Sequence, residues 1–196
     1  MTFIVTSFYT TGTGYEKAAK ERLIPSLEAF GIPYDIVGIA SKGPWERNIY
    51  EKAVVIRDAM QRVGHGVDVV WLDADAEVVS YPKLFNSLKC DFAAHWRRPR
   101  GNLSSGTMFF RNNFAGRWLI DCWAAALRHA AENADRRTEQ QILEDVLKNM
   151  RQSVTSEELP LSYSTIFDGP QPEEPVIIRH HQASRRYRNK VANGRT

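Results

Sequence analysis

A chain of 196 residues is the size of one domain built around a single sizeable core. Its hydrophobic share of 43% and charged share of 25% exclude intrinsic disorder and the fibrous classes. The formal charge of +3 is mild but uneven, because no acidic residue follows Glu174 whereas Arg179, Arg185, Arg186, Arg188, Lys190 and Arg195 do, a bias that points to an anionic partner near the C-terminus.

Met1 to Ser7 is short and apolar, without the charged region and cleavage site of a signal peptide, and no apolar run approaches the roughly 20 residues of a membrane span. A cytoplasmic protein is expected. Phe3 to Phe8 is a β-rich run, followed by a loop with Gly12 and Gly14. Tyr15, Ala19, Leu23, Leu27 and Phe30 then recur at helical spacing, with Pro25 expected to kink or divide the helix. A second strand, Tyr34 to Ile39, follows Gly31 and Pro33. Ile49, Ala53, Ile56, Met60 and Val63 mark one face of the next helix, and Lys52 falls outside that face.

Val67 to Leu72 is an apolar run that ends at Asp73, Asp75 and Glu77. This is the pattern of a buried parallel strand whose carboxyl end opens onto a site. Further strands are predicted at Phe92 to Trp96, Thr107 to Arg111 and Val176 to Arg179, and helices at Ala115 to Ala131 and Glu139 to Met150. Asp168 to Pro175 reads as an extended loop. Trp96, Trp118 and Trp123 are assigned to packing, as are Cys90 and Cys122, whose separation suits neither a disulfide framework nor a zinc site. The expected fold class is α/β, with a mixed, mostly parallel, Rossmann-like sheet flanked by helices. Residues 1–187 form the domain and 188–196 a basic tail.

The strongest local signal is Val69-Val70-Trp71-Leu72-Asp73-Ala74-Asp75, which delivers two carboxylates to the exposed end of an apolar strand. Such a pair suits Mg2+ or Mn2+, hard ions that join protein carboxylates to substrate phosphates. A solvated turn is the plain alternative for an Asp-x-Asp triplet, and the buried strand before it weighs against that reading. On the last strand His180 and His181 face opposite sides, so one of them can point into the site. His180 is favoured and His181 is its rival. Glu139 follows Thr138 at a helix start, where the helix dipole favours a carboxylate whatever the function. Its functional alternative is a place beside a sugar's anomeric carbon. Arg185 and Arg186 have the fork that grips diphosphate oxygens. Tyr15, heading a helix, is placed to stack on a nucleobase.

Trp71-Leu72-Asp73-Ala74-Asp75-Ala76-Glu77-Val78 resembles the DxD segment of GT-A nucleotide-diphospho-sugar transferases, close to the family-eight and glycogenin-like group. Ile4-Val5-Thr6-Ser7-Phe8-Tyr9 with Tyr15 resembles that group's first strand and nucleotide-binding loop, which implies donor contacts for Thr6, Phe8 and Tyr15. Trp45, Asn48, Lys52 and Ile56 resemble its second helix, whose lysine faces the nucleotide-sugar. Leu103-Ser104-Ser105-Gly106-Thr107-Met108-Phe109-Phe110 resembles the segment after the metal site and implies donor contacts at Ser105 and Gly106. Glu139-Gln140 stands where the group has Asp-Gln and takes the catalytic role. His180, Ala183 and Arg186 fall in register with its His-x-x-Gly-x-x-Lys pattern, implying His180 as third metal ligand and Arg186 as a diphosphate contact.

The resemblance implies a glycosyltransferase that uses Mn2+ or Mg2+ and a nucleotide-diphospho-sugar, UDP-sugar foremost, and transfers the sugar with retention to an acceptor hydroxyl of a saccharide, a protein or a nucleic acid. A second hypothesis rests on the basic tail, Arg97, Arg98, Arg100, Arg136 and Arg137: a nucleic-acid-binding protein, or a glycosyltransferase acting on modified DNA bases. A metal-dependent nucleotidyltransferase fits poorly, because Gly12 and Gly14 lack a nearby arginine.

Overall fold

The computed structural model of the chain describes residues 3–43, 45–97, 101–133 and 135–182. Its principal sheet has the order β2 (Tyr34–Ile39), β1 (Phe3–Thr10), β3 (Asp68–Leu72), β6 (Asn102–Phe110), β5 (Phe92–Arg97), β7 (Ser156–Glu158). β1 runs parallel to both β2 and β3, β6 runs against β3 and β5, and β7 runs parallel to β5. One reversed strand in an otherwise parallel sheet is the mixed, mostly parallel α/β class that the sequence predicts. A second, three-stranded sheet has the order β4 (Ala76–Val78), β9 (Ile178–His180), β8 (Thr165–Ile166).

Both faces of the principal sheet are covered, which is why β3 reads as an unbroken apolar run rather than an alternation. Val69 and Trp71 turn toward a core shared with Ile56 and Met60 of α4 (Glu51–Val63) and with Leu119 and Trp123 of α5 (Phe114–Glu132). Ile142 and Leu143 of α6 (Glu139–Met150) close that layer. Val70 and Leu72 turn to the opposite core, where they meet Leu23, Leu27, Phe85, Phe109 and Ile178 of the second sheet.

The helix after β1 is continuous but changes its winding: α1 (Gly14–Ala18), a π-helical turn (Ala19–Leu23) and α2 (Ile24–Ala29). Proline lacks an N–H and its ring crowds the carbonyl four residues back. The wider turn ends at Leu23, and Pro25 takes its place in the first turn of α2, so the expected break is a change of winding instead. Leu23 and Leu27 are both fully buried across it.

Three further expectations need correction. The strand predicted from Thr107 begins at Asn102, and the strand predicted at Val176 to Arg179 occupies Ile178–His180. Trp118, assigned to packing, is 44% exposed and lies beside Phe114, itself 81% exposed. Those two positions lie on the solvent side of the amphipathic α5, whose buried stripe runs through Leu119, Ile120 and Trp123. Cys90 and Cys122 are free thiols, and burial pushes that of Cys90 up to about 11. No helix among the described residues is long and apolar enough to cross a membrane.

Candidate active site

A cleft of about 310 Å³ opens at the carboxyl edge of β1, β2 and β3. Its walls are Phe8, Tyr9 and Thr10 from the end of β1, Tyr15 from α1, Trp45 and Asn48 from α3 (Trp45–Ile49), and Lys52 from α4. Trp71, Asp73 and Asp75 from the end of β3, Glu139 from the start of α6 and Gln182 beyond β9 also line it. Ligands of open α/β sheets bind at this edge, where loops leave the strands in different directions.

Asp73, Asp75 and His180 each offer one ligand atom, and these atoms lie within 4.8 Å of one another. The pairing of β4 with β9 assembles the three. Ala76 faces His180 in register, and His181 donates its N–H to the carbonyl of Asp75 at 3.1 Å. The alternation of β9 buries Ile178 and His180 on one side. His180 Nδ1 stands 3.8 Å from Asp75 Oδ1, while its Nε2 lies 2.8 Å from Thr107 Oγ1. His181 instead points to Glu77, 2.7 Å from its carboxylate.

β6 supplies the other side of the cluster through an irregularity. Its register with β5 jumps from Ala94 opposite Met108 to His95 opposite Ser104, which frees Ser105, Gly106 and Thr107 from that neighbour. Such bulges re-aim side chains beside sites. Here a Cβ on Gly106 would lie 2.9 Å from Cε1 and 3.1 Å from Nδ1 of His180, and 3.3 Å from Oδ2 of Asp73. The missing side chain leaves a small space between a carboxylate oxygen of Asp73 and the His180 imidazole, and with Asp75 the cluster offers a donor set that suits Mg2+ or Mn2+.

Beneath the cluster lies a buried ionic network. Lys52 is 4% exposed, and its three ammonium protons meet three acceptors: Asp73 Oδ1 at 3.0 Å, Glu139 Oε1 at 3.1 Å and the carbonyl of Ser105 at 3.1 Å. Ser105 Oγ donates to the same Glu139 oxygen at 2.8 Å. Burial pushes the Lys52 ammonium down, but the charges and hydrogen bonds of Asp73 and Glu139 outweigh it and hold its pKa above the ordinary value. Burial likewise lifts Glu139, yet Lys52, Ser105 and the N–H of Gln140 bring it below the usual carboxylate value. Both groups are therefore charged at neutral pH. Lys52 lies outside the apolar face that periodicity marks on α4, yet it is buried beside Ala53 and Ile56 because acceptors from β3, β6 and α6 converge on it.

Glu139 stands at the helix start read for it. Thr138 caps α6 in a reciprocal pair with Gln141, which fixes Glu139 in the first turn, and its side chain still reaches the Lys52 network. Gln140 is half-buried and does not line the cleft. Thr6 does not line the cleft: it is fully buried, and its hydroxyl donates to the carbonyl of Asp35 across the β1–β2 pair. Phe8 and Tyr15 do line the cleft. Arg186, with Arg185 and the basic tail, lies outside the described residues, as do Arg98 and Arg100. Of the arginines behind the nucleic-acid hypothesis, Arg137 is held by Asp135 and Asp145 and Arg97 bonds Ser104.

Sequence reasoning overlooked the loop after β2. Asn48 accepts from the N–H of Lys42 at 2.8 Å and donates to the carbonyl of Gly43 at 3.1 Å, and so folds Ser41 and Gly43 onto the cleft wall. Gly43 has φ +95°, a conformation that glycine adopts without a steric penalty. The Gly-Pro pair at 43 and 44 was the available sign of a turn.

No family model matches the chain, and no curated protein matches it. Solved structures that share its fold include three glycosyltransferases. A glycosyltransferase involved in the glycosylation of the major capsid of PBCV-1 aligns over 96% of this chain and 99% of its own, with TM-score 0.68 and 14% identity. The apo-form glycosyltransferase GlyE of Streptococcus pneumoniae TIGR4 aligns over 93% of this chain and 55% of its own, with TM-score 0.56 and 15% identity. The galactosyltransferase LgtC, solved in complex with donor and acceptor sugar analogs, aligns over 98% of this chain and 96% of its own, with TM-score 0.56 and 10% identity. At these identities the likeness is one of fold, and the GT-A architecture expected from the sequence is the fold these structures share with the chain.

Proposed function

We propose that this chain is a glycosyltransferase that moves a sugar from a nucleotide-diphospho-sugar, a UDP-sugar foremost, to an acceptor hydroxyl with retention of configuration. The observation that carries the proposal is the cluster of Asp73, Asp75 and His180 at the carboxyl edge of a GT-A sheet, with the space left by Gly106 beside Asp73 and His180. Fold alone does not imply function, and that cluster supplies the site chemistry.

Asp73, Asp75 and His180 would hold Mn2+ or Mg2+, which when bound neutralises charge on the departing diphosphate. Tyr15 and Phe8, on the cleft wall, receive the nucleoside. Glu139, ionised and held by Lys52 and Ser105, stands as the fixed negative charge that favours an oxocarbenium-like centre. Gln140 keeps the catalytic role and Arg186 the diphosphate contact that the resemblance implies. The acceptor oxygen forms its bond to the anomeric carbon as the carbon–phosphate oxygen bond breaks, and the acceptor proton passes late to the leaving phosphate oxygen. No separate strong base is then required.

Calorimetric titration with a panel of nucleotide-sugars, in Mn2+ and then in chelator, tests the reading. Metal-dependent binding of one member that disappears in Asp75→Ala is the expected result. Equal binding by Asp75→Ala and the parent chain would end the proposal.

A further inference from the structure

Asp73 presents its two carboxylate oxygens to different neighbours, and the difference is built by side chains that do not belong to the cluster. Oδ1 accepts from the indole N–H of Trp71 at 2.9 Å and from Lys52 at 3.0 Å. Oδ2 lies beside the space that Gly106 leaves next to His180. Residues two apart on a strand share a face, so Trp71 in β3 sets its indole under the carboxylate that leaves the end of the same strand. The indole itself has little freedom. It is 1% exposed, its ring packs on Phe8 with centroids 5.6 Å apart, and the Lys52 ammonium sits 5.2 Å from its centroid.

We propose that Trp71 is a positioning residue for the metal site: its indole N–H occupies Oδ1 of Asp73 and so turns Oδ2 toward Asp75 and His180. The inference rests on the reading that Asp73 is a metal ligand. The donor is what matters at position 71. A phenylalanine there would keep the contact with Phe8 and leave the carboxylate free to rotate about its last torsion, held on one side by Lys52 alone. Groups that orient a ligand in this way are worth about 10- to 100-fold in metal affinity, and the neutral indole, one of two donors on Oδ1, belongs at the lower end.

The test is a titration of the full chain with Mn2+ alone, followed by electron paramagnetic resonance of the free ion, for the parent chain and Trp71→Phe. A dissociation constant about tenfold weaker in Trp71→Phe, with an unchanged circular dichroism spectrum, is expected. Equal constants would overturn the positioning role while leaving the metal site intact; a parent chain that binds no Mn2+ would overturn the metal site and the inference with it. Should Trp71→Phe fail to fold, the chain with Trp71 intact still decides. Among the indole N–H signals of its five tryptophans, observed with 15N-labelled tryptophan, one is expected to shift in Asp73→Asn. If none shifts, the indole is not bonded to that carboxylate.

Discussion

Lys52 Nζ lies 3.1 Å from Glu139 Oε1 and 3.0 Å from Asp73 Oδ1, so a single buried ammonium joins the helix that carries the candidate catalytic carboxylate to the strand that carries the candidate metal ligand. Removing one partner of such a pair leaves an uncompensated charge away from water. Lys52→Met is therefore expected to lower unfolding stability by about 3–5 kcal/mol. Glu139→Gln, which keeps the shape and one acceptor oxygen, should cost less. Asp73 is 39% exposed at its side chain and can recover water, so most of the coupling should belong to Lys52 and Glu139. Urea denaturation of both single variants and the double variant measures it: the double is expected to be less destabilised than the sum of the singles, and strict additivity would mean the two groups do not interact.

Gly106 is needed for space and not for backbone freedom. Its φ is not in the left-handed region, so Gly106→Ala carries no backbone strain. The new Cβ would, however, stand 2.9 Å from His180 Cε1, and the buried imidazole cannot easily yield while its other nitrogen is bonded to Thr107. Mn2+ affinity should fall by about tenfold or more, in the range that misplaced ligands cost, while stability falls by only about 1–3 kcal/mol, as for other overpacked sites. Metal titration and urea unfolding on the same preparation separate the two effects. A variant that binds Mn2+ like the parent would show that the space beside Gly106 is not where the ion sits.

Elements with strong apolar patterns were legible in the sequence because burial on two faces leaves a plain mark. β2 is read at its observed limits and so is α6, β3 to within one residue, and Asp73 and Asp75 emerge from β3 at the edge where the parallel strands end. The short strands left no such mark. β7 is three exposed residues held to β5 by backbone bonds, and β4 and β8 are too brief for any periodicity. Yet β4 is what brings His180 to Asp75, so strand alternation and the resemblance could single out His180 while the pairing that carries it there stayed unread. The bulge of β6 and the convergence on Lys52 are likewise tertiary. A lysine among Ala53 and Ile56 looks solvent-facing until the acceptors of three other elements are in place.

Asp91 provides a prediction about pH away from the site. Its carboxylate accepts from Asn113 Nδ2 at 2.7 Å, from the N–H of Thr155 at 2.9 Å and from Thr155 Oγ1 at 2.7 Å, tying the cap of α5 to the segment before β7. Burial raises its pKa, but these bonds and the charge of Arg111 outweigh burial and hold it below the usual value. The folded chain thus binds this proton less readily than the unfolded chain does. The stabilisation is present in full above the unfolded carboxylate value, about 3.9, and is lost as pH falls through the lower folded value. Asp91→Ala should cost about 1–3 kcal/mol at pH 7, the penalty of stranding buried donors. That gap should narrow in thermal melts below pH 4 or so, and a gap of constant size down to the acid transition would assign the loss to packing instead of charge.

The adjacent histidines make the sharpest comparison, because they differ by one residue in sequence and by orientation in the fold. His180 is 3% exposed with Nδ1 toward Asp75, whereas His181 is turned to Glu77 and stacks on Phe167 at 6.3 Å. If the cluster is a metal site, His180→Ala removes one of three ligands, and Mn2+ binding is expected to become undetectable at protein concentrations that saturate the parent. His181→Ala keeps all three ligands. It should leave the Mn2+ constant within about threefold, a change under 1 kcal/mol, and lose the contact with Glu77 and the stack on Phe167. The reverse pattern, with binding lost in His181→Ala and retained in His180→Ala, would require the chain after β9 to turn the other way when the ion binds.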